Sequence, residues 1–312
     1  MDVSIIIVNY NTISFLTNAI DSIFEQTEDI EYEIIVVDNN STDDSKTILT
    51  EKYGDKIIYL GLSENIGFGR ANNEAAKIAR GRNLFLLNPD TILLNNAIKI
   101  LSDYLDKNAY TGVCGGNLFN SDMQPTTSFV TMLPSLLQSI DDLFCGLITI
   151  ITFGKNKYFN YSNKDLRVAC IIGADIMIRK ELFNNLGGFD PDFFMYHEEL
   201  ELCYRINKTG YKIYSIPDAH IQHLEGKSIS DDYEKIKRKF HARLLFLYKT
   251  QNKINLFIIN IIYCLSSFIR FLIFSILQNK DKKILWYEIC RLNIIPHLSS
   301  EDKKKNRDNR YF

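Results

Sequence analysis

The sequence predicts an α/β protein: an open, mainly parallel sheet flanked by helices, followed by a helical C-terminal segment. Three observations lead there. Apolar runs of strand length recur at 3–8, 33–37, 57–60 and 84–87. Segments of helical periodicity separate them. Beyond residue 228 the composition shifts to a basic helix and then to a long apolar stretch.

The run 3–8 (VSIIIV) is continuously apolar and β-branched, as in a parallel strand buried on both faces, and Asn9-Tyr10-Asn11 ends it. Ile13, Leu16, Ile20, Ile23 and Phe24 then recur at helical spacing. The run 33–37 (EIIVV) repeats the buried-strand pattern and stops at Asp38-Asn39-Asn40, after which Ser41-x-x-Asp44 has the form of a helix cap. Short strands at 57–60 (IIYL) and 84–87 (LFLL) bracket a Gly-containing loop and a helix over 70–80. Such alternation points to a sheet that takes ligands at the carboxyl ends of its strands. Asn9, Asn11, Asp38, Asn39, Asn65, Gly67, Asn88 and Asp90 stand at those ends. Asn, Asp and Gly also punctuate ordinary turns, so any one of them is a weak signal, whereas four clusters in register favour a site. The section 110–230 is less regular, with apolar runs at 168–172 and 176–178 and a short strand at 213–216 ended by Pro217-Asp218.

With 312 residues and 46% hydrophobic content, the chain can build one main body plus an appended segment. Its net charge of −2 supplies no basic field of the kind nucleic-acid binders use, so nucleic acid is not an expected partner. The start, MDVSIIIVNYN, lacks a basic n-region and a cleavage site, which leads to the expectation of a cytoplasmic body. Cysteines at 114, 145, 170, 203, 264 and 290 show no zinc-binding spacing and read as reduced, mostly buried thiols.

Three clusters could carry chemistry. Asp90, in 86–91 (LLNPDT), follows a buried strand, where Mg²⁺ or Mn²⁺ could bridge it to a diphosphate, although a lone Asn-Pro-Asp is more often a turn. Glu198, Glu199 and Glu201 open a helix in 195–205 (MYHEELELCYR). First-turn acids suit the helix dipole, and Glu201 can pair with Arg205 at i,i+4. The preceding GGFDPDFFMY nevertheless has the character of a pocket wall, where a carboxylate could act as general base on an acceptor hydroxyl. His223 ends the third cluster; imidazole suits Mn²⁺-type metals, so His223 could meet Asp90 across the site, while a histidine at a strand end is usually only a hydrogen-bonded or surface residue.

Seven pieces in order, VSIIIVNYN, IIVVDNNSTD, ENIGFGRANN, LFLLNPDT, GADIMIRKELF with GGFDPDFFMY, EELELCYR with GYKIYSIPDAHIQH, and GKS, carry a likeness over residues 3–228. In them the chain resembles inverting glycosyltransferase family 2, particularly its rhamnosyltransferase-like branch. The resemblance implies a GT-A fold, with a nucleotide-sugar-binding half over 1–115, an acceptor and catalytic half over 116–228, and a basic, amphipathic segment over 229–312. It implies that Asn9, Asn11 and Asp38 hold the base, that Asn65, Gly67 and Asn73 lie along the nucleotide, and that Gly173 belongs to the donor side. Asn88 and Asp90 match the first and last positions of a DxD-type metal motif, and His223 matches a histidine that completes the metal shell. Glu199 matches the catalytic base of a motif usually written Glu-Asp-x-Asp. The family's two aspartates are here Glu199 and Glu201, which keeps Glu198 as a rival.

The implied reaction transfers a sugar from a nucleoside-diphosphate-sugar, dTDP-rhamnose or a UDP-sugar, to a saccharide or lipid-linked saccharide of O-antigen or capsule synthesis. A nicotinamide-dependent oxidoreductase fits less well, because residue 72 is Asn where its fingerprint needs Gly. A nucleotidyltransferase would carry a Gly-rich, Arg-containing loop where Asn9-Tyr10-Asn11 stand. A non-catalytic nucleotide-sugar-binding or scaffold protein is the alternative that the glutamate substitutions keep open.

The stretch 254–277 is long enough to span a bilayer. Taken as a helix, it gathers Asn255, Asn260, Ser266, Ser267, Arg270 and Gln278 within an arc of roughly 140°. With Lys/Arg-rich flanks at 235–243 and 280–283, it is expected to lie peripherally on the inner face of the cell membrane; packing on the body and a single spanning anchor are the alternatives.

Overall fold

The computed structural model of the chain describes residues 1–224 and 232–294. The Gly226-Lys227-Ser228 match lies outside them. The chain opens with β1 (Val3–Asn9), α1 (Ile13–Gln26), β2 (Tyr32–Asp38), α2 (Ser45–Tyr53), β3 (Ile58–Gly61), α3 (Phe68–Ile78) and β4 (Asn83–Leu87). These four strands are mutually parallel. Their alternating side chains divide the core in two. Ile6, Val8, Ile35 and Val37 pack on the face covered by α3, and Ile5, Ile7, Ile34 and Val36 on the face covered by α1. Register sets the rim of the sheet: Asn9 lies opposite Asp38, Asp38 opposite Gly61, and Ile7 opposite Leu87. The cap expected at 41–44 does not form. The Ser41 hydroxyl instead accepts from Asn9 and from the Asn11 N–H, and the Asp43 carboxylate takes the Ser45 N–H at 3.2 Å.

The chain continues through β5 (Thr91–Leu93), α4 (Ala97–Lys107), β6 (Thr111–Phe119), β7 (Phe129–Val130), α5 (Leu136–Leu143), α6 (Leu147–Phe153), β8 (Leu166–Arg167), β9 (Cys170–Ile171) and β10 (Asp175–Arg179). It ends with α7 (Lys180–Asn185), α8 (Glu198–Lys208), β11 (Lys212–His223), α9 (Asp232–Thr250), α10 (Lys253–Ile276) and α11 (Lys280–Ile294). The main sheet runs β3-β2-β1-β4-β10-β6-β11-β5, with β8 beside β11; β7 and β9 form a separate pair.

Sequence expectations are corrected at β11 and at Cys145. The position of the expected 115/116 division lies within β6, a strand buried along nearly its whole length whose sequence, TGVCGGNLF, shows no clear strand pattern. Gly115 and Gly116 are there for close packing: a Cβ on Gly116 would stand 2.5 Å from the Ala219 carbonyl oxygen, and one on Gly115 would overlap Ile171. The strand at 213–216 does not end at Pro217 but continues to His223. The ladder shifts register between Ser215 and His220, so Pro217 sits where no N–H is required of it. Of the cysteines, Cys114, Cys170 and Cys203 are buried, whereas Cys145 is exposed.

The C-terminal helices fold back on the body. Leu245, Phe246 and Leu247 of α9 are buried in its core. In α10 the polar arc faces inward, with Ser266 and Ser267 buried and Arg270 donating to the Asp142 carbonyl at 2.7 Å, while Ile254, Phe257 and Ile276 stay outside. The helix thus packs on the body through its polar side. Among the described residues it is the one single helix long and apolar enough to cross a membrane.

The β6–β11 seam yields a stability test. Overpacking a site of this kind costs about 1–3 kcal/mol, so Gly116→Ala should lower the thermal midpoint by several degrees. An unchanged midpoint would show that the seam has slack.

Candidate active site

Asn9 is completely buried at the end of β1. Its amide donates toward Asp38 at 3.1 Å, Ser41 at 3.0 Å and Ser45 at 2.8 Å, and its carbonyl accepts from the Thr12 hydroxyl at 2.8 Å. It therefore acts behind the rim as a brace. Asp38, its strand neighbour, also accepts from the Tyr59 hydroxyl at 2.8 Å. Burial, then Asp38, pushes the Tyr59 phenol upward, so it stays a neutral donor. Asn11 takes a left-handed conformation and caps the Thr42 N–H at 2.7 Å.

Asn39 continues the rim, donating to Asn65 Oδ1 at 2.8 Å and accepting from the Ile66 N–H at 3.0 Å, while the Gly67 N–H closes onto Asn65 Oδ1 at 3.0 Å. Gly67 has φ +88°, and any Cβ there would overlap the Phe194 carbonyl oxygen, which accepts the Phe68 N–H at 3.0 Å. Further along α3, Asn73 makes a two-point bond with the Phe189 backbone, both contacts at 2.8 Å. Its polar atoms are engaged there, so it ties α3 and the loop before it to the 188–194 segment.

That segment enters α8 through Tyr196 and His197, consecutive non-glycine residues at φ +70° and +67°. Backbone of this kind costs about 1–3 kcal/mol per residue and persists only where packing enforces it. The Lys239 ammonium lies over the Tyr196 ring, 5.3 Å from its centroid. Burial first, then Arg243 and Lys239, push the His197 imidazole down to about 3, so it is neutral.

The three glutamates have different environments. Glu201 is tied to Arg205 at 2.6–2.9 Å, and Arg205 also donates to the Leu186 and Gly188 carbonyls at 2.7 Å. The i,i+4 pair foreseen in the sequence forms, and it holds the approach segment in place. Glu198 is buried and its Oε2 has no partner among the described residues; burial and the nearby Glu199 raise its carboxyl well above 4.5. Glu199 is half-buried, its side chain 4.0 Å from where a Cβ on Gly173 would stand. Its carboxyl is raised by burial, opposed by its own N–H, Lys239 and the Leu200 and His197 N–H groups.

Pairing of β5 with β11 sets Thr91 opposite His223. It places His223 Nε2 3.3 Å from Asp90 Oδ1, with the Leu224 N–H on the Asp90 carbonyl at 2.9 Å. Asn88 lies at the same edge, its N–H on the Ala174 carbonyl at 3.0 Å. Among the described residues no group of three or more His, Cys, Asp or Glu could hold a metal. Asp90 and His223 nevertheless bring a carboxylate and an imidazole, donor types that Mg²⁺- and Mn²⁺-type ions accept, within 3.3 Å of each other, and phosphates normally supply the remaining ligands. The buried His223 Nδ1 has no partner among the described residues.

The model of Glycosyl transferase family 2 matches residues 4–187. The chain belongs to this family. It is a glycosyltransferase, and its fold is GT-A. Rhamnosyltransferase WbbL of Escherichia coli K12 is 25% identical to it over 262 residues, 81% of this chain and 94% of the relative. N-acetylglucosaminyl-diphospho-decaprenol L-rhamnosyltransferase of Mycobacterium tuberculosis is 23% identical over 218 residues, 64% of this chain and 68% of the relative. The solved mannosyltransferase PcManGT from Pyrobaculum calidifontis, in complex with GDP-Man and Mn²⁺, has a TM-score of 0.59 at 16% identity, over 99% of this chain and 84% of its own. At that identity the likeness shows the fold alone.

The structure of this glycosyltransferase thus gathers Asp38, Asn65, Gly67, Asn88 and Asp90 along one rim and brings His223 to Asp90. It turns Asn9 and Asn73 into braces and Glu201 into half of an ion pair. Sequence reasoning did not single out Tyr59, which alternation alone marks only as a strand residue, or Lys239, which reads as one of many basic residues in α9.

Glu198 carries a pH signature. The folded chain holds its proton above the ordinary 4.5, whereas the unfolded chain releases it there. The stability this group confers is therefore full below the unfolded value and declines as pH rises toward the folded one. Glu198→Gln should melt higher than the parent at neutral pH, with the gap closing near pH 4. A gap independent of pH would contradict the assignment.

Proposed function

We propose that this transferase moves a sugar from a nucleoside-diphosphate-sugar to an acceptor hydroxyl with inversion, and that Glu199 is the general base. The observation that carries the assignment is the contrast within α8. Glu201 is engaged by Arg205 and Glu198 is enclosed, while Glu199, half-buried beside Gly173, keeps some exposure and has its carboxyl raised by burial. Raising a carboxylate toward the working pH makes it a better proton acceptor.

The nucleotide occupies the rim formed by Asn11, Asp38, Asn65 and Gly67, with Gly173 leaving room on the donor side. Asn88, Asp90 and His223 face the diphosphate, where Asp90 and His223 would hold Mg²⁺ or Mn²⁺. Bound there, such a cation would supply charge neutralisation for the leaving nucleoside diphosphate. Glu199 takes the proton from the acceptor oxygen as that oxygen bonds to the anomeric carbon and the bond to the phosphate oxygen breaks. In-line attack inverts the configuration without a covalent glycosyl-enzyme.

The named activities of the E. coli and M. tuberculosis relatives support dTDP-rhamnose as donor, ahead of UDP-sugars, and the second supports a lipid-linked saccharide as acceptor in cell-surface polysaccharide synthesis. A lipid-linked acceptor requires the enzyme at the membrane. We place α10 peripherally on the cytoplasmic face, because its exposed side is apolar. The alternative, a non-catalytic nucleotide-sugar-binding protein, is separated by turnover.

Release of nucleoside diphosphate from dTDP-rhamnose and UDP-hexoses tests this reading. Glu199→Gln should lose turnover by on the order of 10² or more while keeping donor affinity. In the parent, activity should fall on acidification through a pKa above the ordinary 4.5, because the base works deprotonated. If Glu198→Gln is the inactive variant, the base is one residue earlier; if no donor is turned over, the binding-protein reading prevails.

A further inference from the structure

The segment 136–153 (LLQSIDDLFCGLITIITF) folds as a helical hairpin, α5 and α6, between β7 and β8. An acidic pair inside an otherwise apolar run looks unsuited to lipid, yet both acids point inward. The buried Asp141 carboxylate accepts the Ile148 N–H and the Thr149 hydroxyl, both at 2.6 Å, capping α6 from within the hairpin. Asp142 receives the Tyr263 hydroxyl of α10 at 3.1 Å. At the tip, the N–H groups of Cys145, Gly146 and Leu147 bond to the carbonyls of Asp142, Asp141 and Phe144. Backbone satisfied in this way is what a hydrocarbon environment demands. The outside is the reverse of a water-facing surface: Phe144, Leu147, Ile150 and Ile151 are 45–77% exposed, and α6 carries no charge. The two helices bend by 101° at the turn, so the hairpin can dip into one leaflet and return.

Resting on the reading that α10 lies at the membrane, we propose that this hairpin is a second lipid-inserting element, seated beside α10 in an anionic bilayer. Charge decides between lipid and a second copy of the chain. Residues 229–312 contain 17 Lys and Arg against 8 Asp and Glu, while residues 1–228 contain 19 against 30. Exposed Lys155 follows the hairpin, Lys253 opens α10, and Lys280, Lys282 and Lys283 open α11. Anionic headgroups complement such a border, whereas a second copy would set like charges together. Hairpin and α10 are also one unit. Arg243 of α9 lies 3.3 Å from the Tyr263 ring centroid and donates to Gln138 at 3.3 Å, and Arg270 holds the Asp142 carbonyl. Because α9 also carries Lys239 at the entry to α8, the seated elements and the catalytic edge share one helix.

Cys145, exposed at the tip, reports directly. Full-length protein is treated with a membrane-impermeant maleimide, with and without phosphatidylcholine/phosphatidylglycerol vesicles, and Cys145→Ser defines the background from other thiols. Vesicles should slow Cys145 labelling by an order of magnitude or more. The double variant Ile150→Asp with Ile151→Asp should restore labelling and weaken co-sedimentation several-fold, with donor hydrolysis in detergent unchanged. Protein that co-sediments while Cys145 reacts at its free rate overturns the hairpin and leaves α10 in place. Failure to co-sediment overturns the membrane reading of α10 and the hairpin together. Protection that grows with protein concentration in the absence of vesicles assigns the face to a second copy and also overturns the proposal.

Discussion

The contact between Gly67 and Phe194 is the constraint on which the site depends. Only a residue without a Cβ, at φ +88°, lets the loop after β3 lie against the Phe194 carbonyl. That contact draws the start of α3 onto the segment leading into α8, and the Asn73–Phe189 bonds fasten it again further along the helix. Separate these two stretches and the glutamates no longer stand beside the rim of the sheet. The crevice is therefore a consequence of backbone closeness, and the polar side chains around it are largely occupied in maintaining it.

Around that contact the fold carries several local penalties. Tyr196 and His197 are left-handed, and Glu198 is a buried acid beside a second acid, with an oxygen unpartnered among the described residues. None of these favours folding by itself. They are compensated by the doubly packed parallel strands and by Arg205, which neutralises Glu201 and binds two carbonyls of the approach segment. Strain concentrated at one helix start, next to a carboxylate raised by burial, is the arrangement expected where chemistry is favoured over stability.

The first four strands were legible because each is a short apolar run ended by Asn, Asp or Gly, and the rim followed from their parallel register. The Glu201–Arg205 pair was legible from spacing alone. β6 was not: TGVCGGNLF has neither alternation nor a continuous apolar run, and Gly115 and Gly116 answer to Ile171 and Ala219, which sequence distance conceals. The passage of β11 through Pro217 was hidden for a related reason, since a register shift lets the ladder do without that N–H. Asn9 and Asn73 showed their residue types but not the direction of their side chains. Side-chain direction is what distinguishes a ligand contact from a brace.

The account turns on the edge where Asp90 and His223 meet, 3.3 Å apart and joined through β5 and β11. If this is where a cation clamps the donor diphosphate, nucleotide binding and metal binding are one event. Calorimetric titration of dTDP and UDP into the protein, with and without Mn²⁺, tests that directly when repeated on Asp90→Ala. The account predicts Mn²⁺-dependent affinity in the parent and its loss in a variant that melts like the parent. Equal nucleotide affinity in the two proteins with Mn²⁺ present would contradict it.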